Sequence, residues 1–177
     1  SRGQLDRHFN FNRDRDYARA GAAYVYVRAG SNWTKQAYLK ASNADAEDRF
    51  GHAVSVDGDH LIIGAPLEDS ASATDPGDDS ATDRGAAYAF TRSGTTWGQV
   101  AMLKSSNVST EFGRRVRLAG EIAAVAAAGG SQGGAVSLFR RTPAWAEAAT
   151  IPGAERSVAI SEDTLAIGDD SEDTLAA

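Results

Sequence analysis

Between Glu68 and Asp83 the chain carries Glu68, Asp69, Asp75, Asp78, Asp79 and Asp83, with no basic residue before Arg84. Carboxylate oxygens on a Gly-containing loop are hard ligands of the kind Ca²⁺ takes, about 6–8 at a time. Asp69, Asp75, Asp78, Asp79 and Asp83 are therefore the candidate metal ligands. Acidic stretches rich in Ser and Thr are also typical of solvated, mobile insertions, and that is the first reading of this one.

Other residue types suggest less. Trp33, Trp97 and Trp145 each follow a turn. Exposed, Trp33 and Trp97 could stack on sugar rings; packing between structural elements is the commoner use of a recurring aromatic. The N-terminal "HFNFNRDRDYARA" interleaves Phe9, Phe11 and Tyr17 with Arg13, Arg15 and Arg19, a pattern that can bind single-stranded nucleic acid. Asp14 and Asp16 offset much of that charge, so residues 1–20 read better as an irregular segment, an edge strand or a docking segment. The histidines are His8, His52 and His60, and no nucleophile elbow, phosphate loop or His-Glu-x-x-His appears. An enzyme is not expected.

Composition narrows the rest. With 24 acidic against 18 basic residues the net charge is -6, which disfavours nucleic acid and anionic membranes as partners. The chain has no Cys, so disulfides and thiolate metal sites are excluded. No apolar run approaches the roughly 20 residues that would span a bilayer as a helix. The first residues lack a secretion-signal pattern, and a start at Ser1 reads as a processed protein or an excised segment. Eighteen Gly in 177 residues, without long helical stripes, suit a turn-rich β protein.

The elements that must position these residues recur. "GAAYVYVRAGSNW" begins at Gly21, "GAAYAFTRSGTTW" at Gly85 and a looser "GAVSLFRRTPAW" at Gly134, spacings of 85 − 21 = 64 and 134 − 85 = 49 residues. "FGHAVSVDGDHLIIGAP" from Phe50, "FGRRVRLAGEIAAVAAA" from Phe112 and "SVAISEDTLAIGDD" from Ser157 interleave with them. Val54, Val116 and Val158 align, as do Leu61, Ile122 and Leu165. The difference in spacing falls in the loop after Pro66, where repeat architectures tolerate it. Each unit holds extended segments, in the central one 54–57, 61–63, 87–91 and 100–104, separated by Gly-Asp or Ser-Gly turns. Four short strands per unit are the pattern of a β-propeller blade, a four-stranded antiparallel sheet.

"RFGHAVSVDGDHLIIGAPLEDS…DRGAAYAF" resembles the FG-GAP repeat of integrin α subunits and many bacterial surface and secreted proteins. Phe50, Gly51, Gly64, Ala65 and Pro66 carry both halves of the motif, and Phe112 and Gly113 carry the first half of the next copy. The resemblance runs from about residue 21 to 170, strongly for one unit and weakly for its neighbours. It implies propeller blades, an extracellular or cell-surface setting, and calcium in the loops of some blades. Those family loops use a compact Asp-x-Asp-x-Asp-Gly-like spacing, which "DPGDDSATD" follows only loosely.

Cut at blade boundaries, the repeats give a half blade over 21–41, blades over 50–105 and 112–151, and a half blade over 157–168. That is about three blades' worth of strands, against the 4 to 8 that close a propeller. The expectation is a piece of a larger propeller, or else one whose open edges pair between copies. The leading function is a non-catalytic binding or adhesion module for a protein or glycan ligand, with Ca²⁺ stiffening its loops. A structural assembly protein, joined through strand edges into a ring or filament, is the alternative. A propeller lectin or an enzyme ranks third. The repeated "SEDTLA" at Ser161 and Ser171 reads as a strand with its turn, then a tail.

Overall fold

The computed structural model describes residues 18–106, 110–129, 134–152 and 157–168. Most of the N-terminal stretch 1–20 and the second SEDTLA copy lie outside them. Among the described residues all regular structure is strand. β1 (Ala23–Ala29) and β2 (Asn32–Leu39) form a hairpin. β3 (Ala53–Asp57), β4 (His60–Ala65), β5 (Ala86–Ser93) and β6 (Thr96–Leu103) form an antiparallel sheet in chain order. β7 (Thr110–Ala119), β8 (Ile122–Ala128), β9 (Ala135–Arg141) and β10 (Trp145–Pro152) form a second. β11 (Ser157–Ile160) and β12 (Leu165–Gly168) pair as a last hairpin. The result is two complete four-stranded blades flanked by two half blades.

Local chemistry sets the strand ends. Pro66, which lacks a ladder donor, follows the last residue of β4. Two-residue turns at Gly30, Gly58, Gly94 and Gly120 hold these glycines at φ of 62, 56, 62 and 55°, a region open to Gly at little cost. β6 begins at Thr96, earlier than the expected 100, because Thr96 pairs directly with Ser93 across the turn. One bulge recurs in every outer hairpin: Gln36, Val100 and Ala148 are each skipped in the pairing.

The register also corrects one alignment. Val54 pairs with Ile63 and Val56 with Leu61, while Val116 pairs with Val125 and Leu118 with Ala123. The counterpart of Leu61 is therefore Ala123, and Ile122 matches His60. A one-residue slip reverses the face of a strand side chain, which is why buried Leu61 and Ala123 correspond.

Neighbouring sheets approach most closely along β3, β7 and β11 and diverge toward β2, β6 and β10, the wedge stacking of a propeller. Each core lies between blades. Phe50 packs with Ala23 and Leu39 of the first half blade and with Leu61, Ile63, Tyr88 and Phe90 of the next blade, its ring centroid 5.4 Å from that of Tyr88. Phe112 packs with Ile62, Ala87 and Ala89 on one side and Phe139 on the other.

The Phe-Gly pairs are the crossings between blades. Phe50 and Phe112 form isolated parallel bridges with Gly21 and Gly85. The Phe50 and Phe112 N–H groups donate to Ala20 and Arg84 carbonyls at 2.8 and 3.0 Å. A Cβ on Gly64 would sit 1.8 Å from the Gly113 carbonyl oxygen, so the Gly-Ala-Pro glycine of one blade lies against the Phe-Gly glycine of the next. The inner edge is tied as well: Ser55 Oγ accepts from the Leu118 N–H at 3.0 Å and Asp57 Oδ2 from the Gly120 N–H at 2.7 Å.

Candidate functional site: an acidic loop rooted on a buried ion pair

The segment joining β4 to β5, residues 67–84, leaves the sheet after Pro66 and returns at Gly85. Its counterpart in the next blade, between β8 and β9, is 13 residues shorter, since β4 to β8 is an offset of 123 − 61 = 62 and β5 to β9 one of 138 − 89 = 49.

The longer loop is fastened at its base by Glu68, which is almost wholly buried. Lys104 Nζ, at the end of β6, donates to Glu68 Oε2 at 2.7 Å, and both side chains are sealed from solvent. Asn43 Nδ2 donates to Glu68 Oε1 at 2.9 Å, and Ser70 Oγ donates to the same oxygen at 2.5 Å. Tyr88 Oη donates to Asn43 Oδ1 at 2.9 Å, which extends the network into the core. Asn43 Nδ2 also reaches the Pro76 carbonyl at 2.9 Å, binding the middle of the loop to the segment before Phe50. A buried charge persists only when it is paired and its remaining oxygens are hydrogen-bonded, and Glu68 meets both conditions.

The loop is further laced to itself. Backbone bonds join Ala71 to Asp78, Ala81 to Asp69, and Gly85 to Glu68. Asp69 Oδ1 accepts from the Asp83 N–H at 2.7 Å, and Asp78 Oδ1 from the Ser80 N–H at 3.1 Å. The solvated, mobile insertion of the first reading is thus a folded loop with a buried root.

Electrostatics at the root follow from burial. Asp48, also buried, accepts the Asp45 N–H at 2.7 Å. Removal from water pushes its carboxyl up to about 7, against the Asp45 N–H, which favours the charged form, and with help from the charges of Glu68, Asp45 and Asp69. Burial likewise lowers the Lys104 ammonium from its ordinary value, while the hydrogen bond and charge of Glu68 hold it up. The Tyr88 hydroxyl is raised, first by burial and then by Glu68. The root is closed to solvent and offers no surface to a substrate; what faces water is the loop above it.

The expected site residues fare differently. Asp75, Asp79 and Asp83 are exposed on the loop, and Asp69 and Asp78 are partly buried and occupied with backbone N–H groups. Among the described residues no three His, Asp or Glu side chains gather as a metal would require. The five aspartates therefore do not fit a calcium site as they stand. Trp33 is exposed, whereas Trp97 is buried, donating Nε1–H to Gln36 Oε1 at 2.8 Å beneath the Arg92 guanidinium. His60 lies against the Thr91 hydroxyl at 3.1 Å. Phe50, Gly51, Gly64, Ala65, Pro66, Phe112 and Gly113 all stand at the blade crossings. The residues that sequence reasoning missed are Asn43, Asp48, Tyr88 and Lys104; Tyr88 sits in the repeated GAAYAF stretch, and the other three sit in no motif.

Four-stranded sheets stacked as wedges, joined by glycine crossings and opened by one long loop, define a propeller-repeat protein. Residues 33–90 match the family model of the FG-GAP repeat, so this stretch of the chain carries an FG-GAP repeat. The match begins in β2 and ends in β5, so it runs across the crossing at Phe50 rather than over one blade. No curated protein matches the chain.

Proposed function

We propose that this protein is a non-catalytic binding and adhesion module, working outside the cell or at its surface, whose contact element is the acidic loop 67–84. The supporting observation is the buried Glu68–Lys104 root, which holds Asp75 and Asp79 in place on the outside of a folded loop. A loop ordered before binding loses less entropy when it meets a partner, so more of the contact energy appears as affinity. Exposed carboxylates on a chain of net charge -6 favour a basic protein surface as ligand.

The test is binding of a fluorescent Lys/Arg-rich peptide to the full chain by anisotropy at two salt concentrations, with an acidic peptide as control. The combined variant Asp75→Asn, Asp78→Asn, Asp79→Asn should bind at least about tenfold more weakly and lose its salt dependence. Equal binding by parent and variant, or none by the parent, would remove the loop from this role.

A further inference from the structure

The buried root holds an amine and a carboxamide on one carboxylate. Glu68 Oε2 accepts from Lys104 Nζ at 2.7 Å, and Glu68 Oε1 accepts from Asn43 Nδ2 at 2.9 Å. The two oxygens of a single carboxylate thus stand the two groups side by side. Tyr88 Oη donates to the carboxamide oxygen, Asn43 Oδ1, at 2.9 Å. From this arrangement we infer that the folded chain cross-links itself, with Lys104 Nζ displacing ammonia from Asn43 Cγ to leave an amide bond between the two side chains.

Each group has the place its role needs. A lysine attacks a carbonyl carbon only as the free amine, and desolvation is one way to free it at neutral pH. The side chains of Lys104 and Glu68 are sealed from water, and burial lowers the Lys104 ammonium from its ordinary value against the hydrogen bond and charge of Glu68. The electrophile is fixed in position. Asn43 Nδ2 donates to the Pro76 carbonyl as well as to Glu68, and Oδ1 is held by Tyr88, whose ring is wholly buried with its centroid 5.4 Å from that of Phe50. Holding nucleophile and electrophile together removes the entropy cost of their encounter. The Tyr88 hydroxyl points at the oxygen on which negative charge develops.

The protons balance through Glu68. It takes one proton from the Lys104 ammonium, and the freed Nζ bonds to Asn43 Cγ, pushing the carbonyl electron pair onto Oδ1 beside Tyr88. Glu68 then gives its proton to Nδ2 and takes another from Nζ. The Cγ–Nδ2 bond breaks with its electron pair on nitrogen, and ammonia leaves. Nζ keeps one hydrogen as the amide N–H, and Glu68 keeps the last proton. Glu68 is then neutral, so the product leaves no unpaired charge in the root. Asn43 is only partly buried, which gives the ammonia an exit.

The link would tie the segment before Phe50, at the crossing into the blade, to the end of β6, its outermost strand. A chain without Cys has no disulfide to do this. The chain is its own substrate once, and no turnover follows. The inference rests on the root and not on what the loop binds: a linked chain that ignores the basic peptide would refute the ligand alone, and an unlinked chain that binds it would refute the link alone.

Intact-mass spectrometry of the purified full chain after incubation at neutral pH should show a loss of about 17 Da, the mass of ammonia. Trypsin should then release residues 41–49 joined to 93–114, with cleavage after Lys104 blocked. Glu68→Gln, which removes the proton carrier, and Asn43→Ala should keep the full mass. Tyr88→Phe, which removes only a hydroxyl, should link at least about tenfold more slowly. The parent's own mass is decisive without any variant having to fold. A parent that keeps its full mass, ammonia lost from another site, water lost in joining Lys104 to Glu68, or a folded Glu68→Gln or Tyr88→Phe chain that links as fast as the parent would each overturn the inference.

Discussion

Replacing Lys104 with Ala tests whether the acidic loop is held by its buried root. In the native protein Nζ lies 2.7 Å from Glu68 Oε2, with the two side chains only 8% and 2% exposed. Truncation leaves the Glu68 carboxylate charged, out of water, and served only by Asn43 and Ser70. Removing one partner of such a pair costs about 3–5 kcal/mol, a large share of the roughly 5–15 kcal/mol that holds a domain folded. With a urea slope of about 2 kcal/mol/M, the midpoint should fall by about 2 M. The double variant Glu68→Gln, Lys104→Met discards both charges and keeps an acceptor for Asn43 and Ser70, so it should be at least about 2 kcal/mol more stable than Lys104→Ala. Equilibrium urea unfolding followed by Trp fluorescence measures all three proteins. Cleavage within 67–84 by a broad-specificity protease reports separately on loop release. A Lys104→Ala midpoint within about 0.5 M of the parent, or a double variant weaker than the single one, would refute the idea that a buried charge anchors the loop.

Asp48 gives a pH signature. Its carboxyl stands near 7 in the fold against an ordinary 3.8, so the folded protein holds a proton that the unfolded chain releases. Its contribution to stability is full below about pH 4 and is lost as pH rises toward 7, at most about 4 kcal/mol for a shift of about three units. Asp48→Asn should therefore gain on the parent between pH 4.5 and pH 8 in urea titrations, and a constant difference across that range would contradict the assignment. Gly64→Ala, which drives a Cβ into the Gly113 carbonyl, should cost more than about 3 kcal/mol or prevent folding, whereas Gly58→Ala, with φ of 56° and open space, should cost about 1 kcal/mol. Equal costs in thermal melts would mean that the glycine crossing is not a close contact. Phe50→Ala should lose about 3–5 kcal/mol by opening a cavity between blades, and a loss under about 1 kcal/mol would place Phe50 outside the core. In acrylamide quenching, Trp97→Phe should leave the accessible fraction of fluorescence nearly unchanged and Trp33→Phe should remove much of it; the reverse would exchange their environments.

Much of this was legible because its causes are local. Pro66 ends β4 for want of an N–H, the Gly turns mark the hairpins, and the recurrence of Phe-Gly with short apolar runs fixes a four-stranded unit. What misled was register: Ile122 and Ala123 differ by one position, and only the pairing of Leu118 with Ala123 shows which residue faces the core. Trp33 and Trp97 occupy the same place in nearly the same words, yet one is exposed and the other buried, because Trp97 has β2 and Gln36 beside it.

By itself, then, the sequence determined strand count, turn positions, the repeat and the absence of thiol chemistry, all of which depend on residues close together in the chain. Glu68 looks in sequence like any other acid of its loop. Its selection as the buried root depends on Lys104, 36 residues later, and on Asn43, 25 residues earlier. Only the stacking of one sheet on the next brings those groups together and excludes the water that would otherwise solvate them.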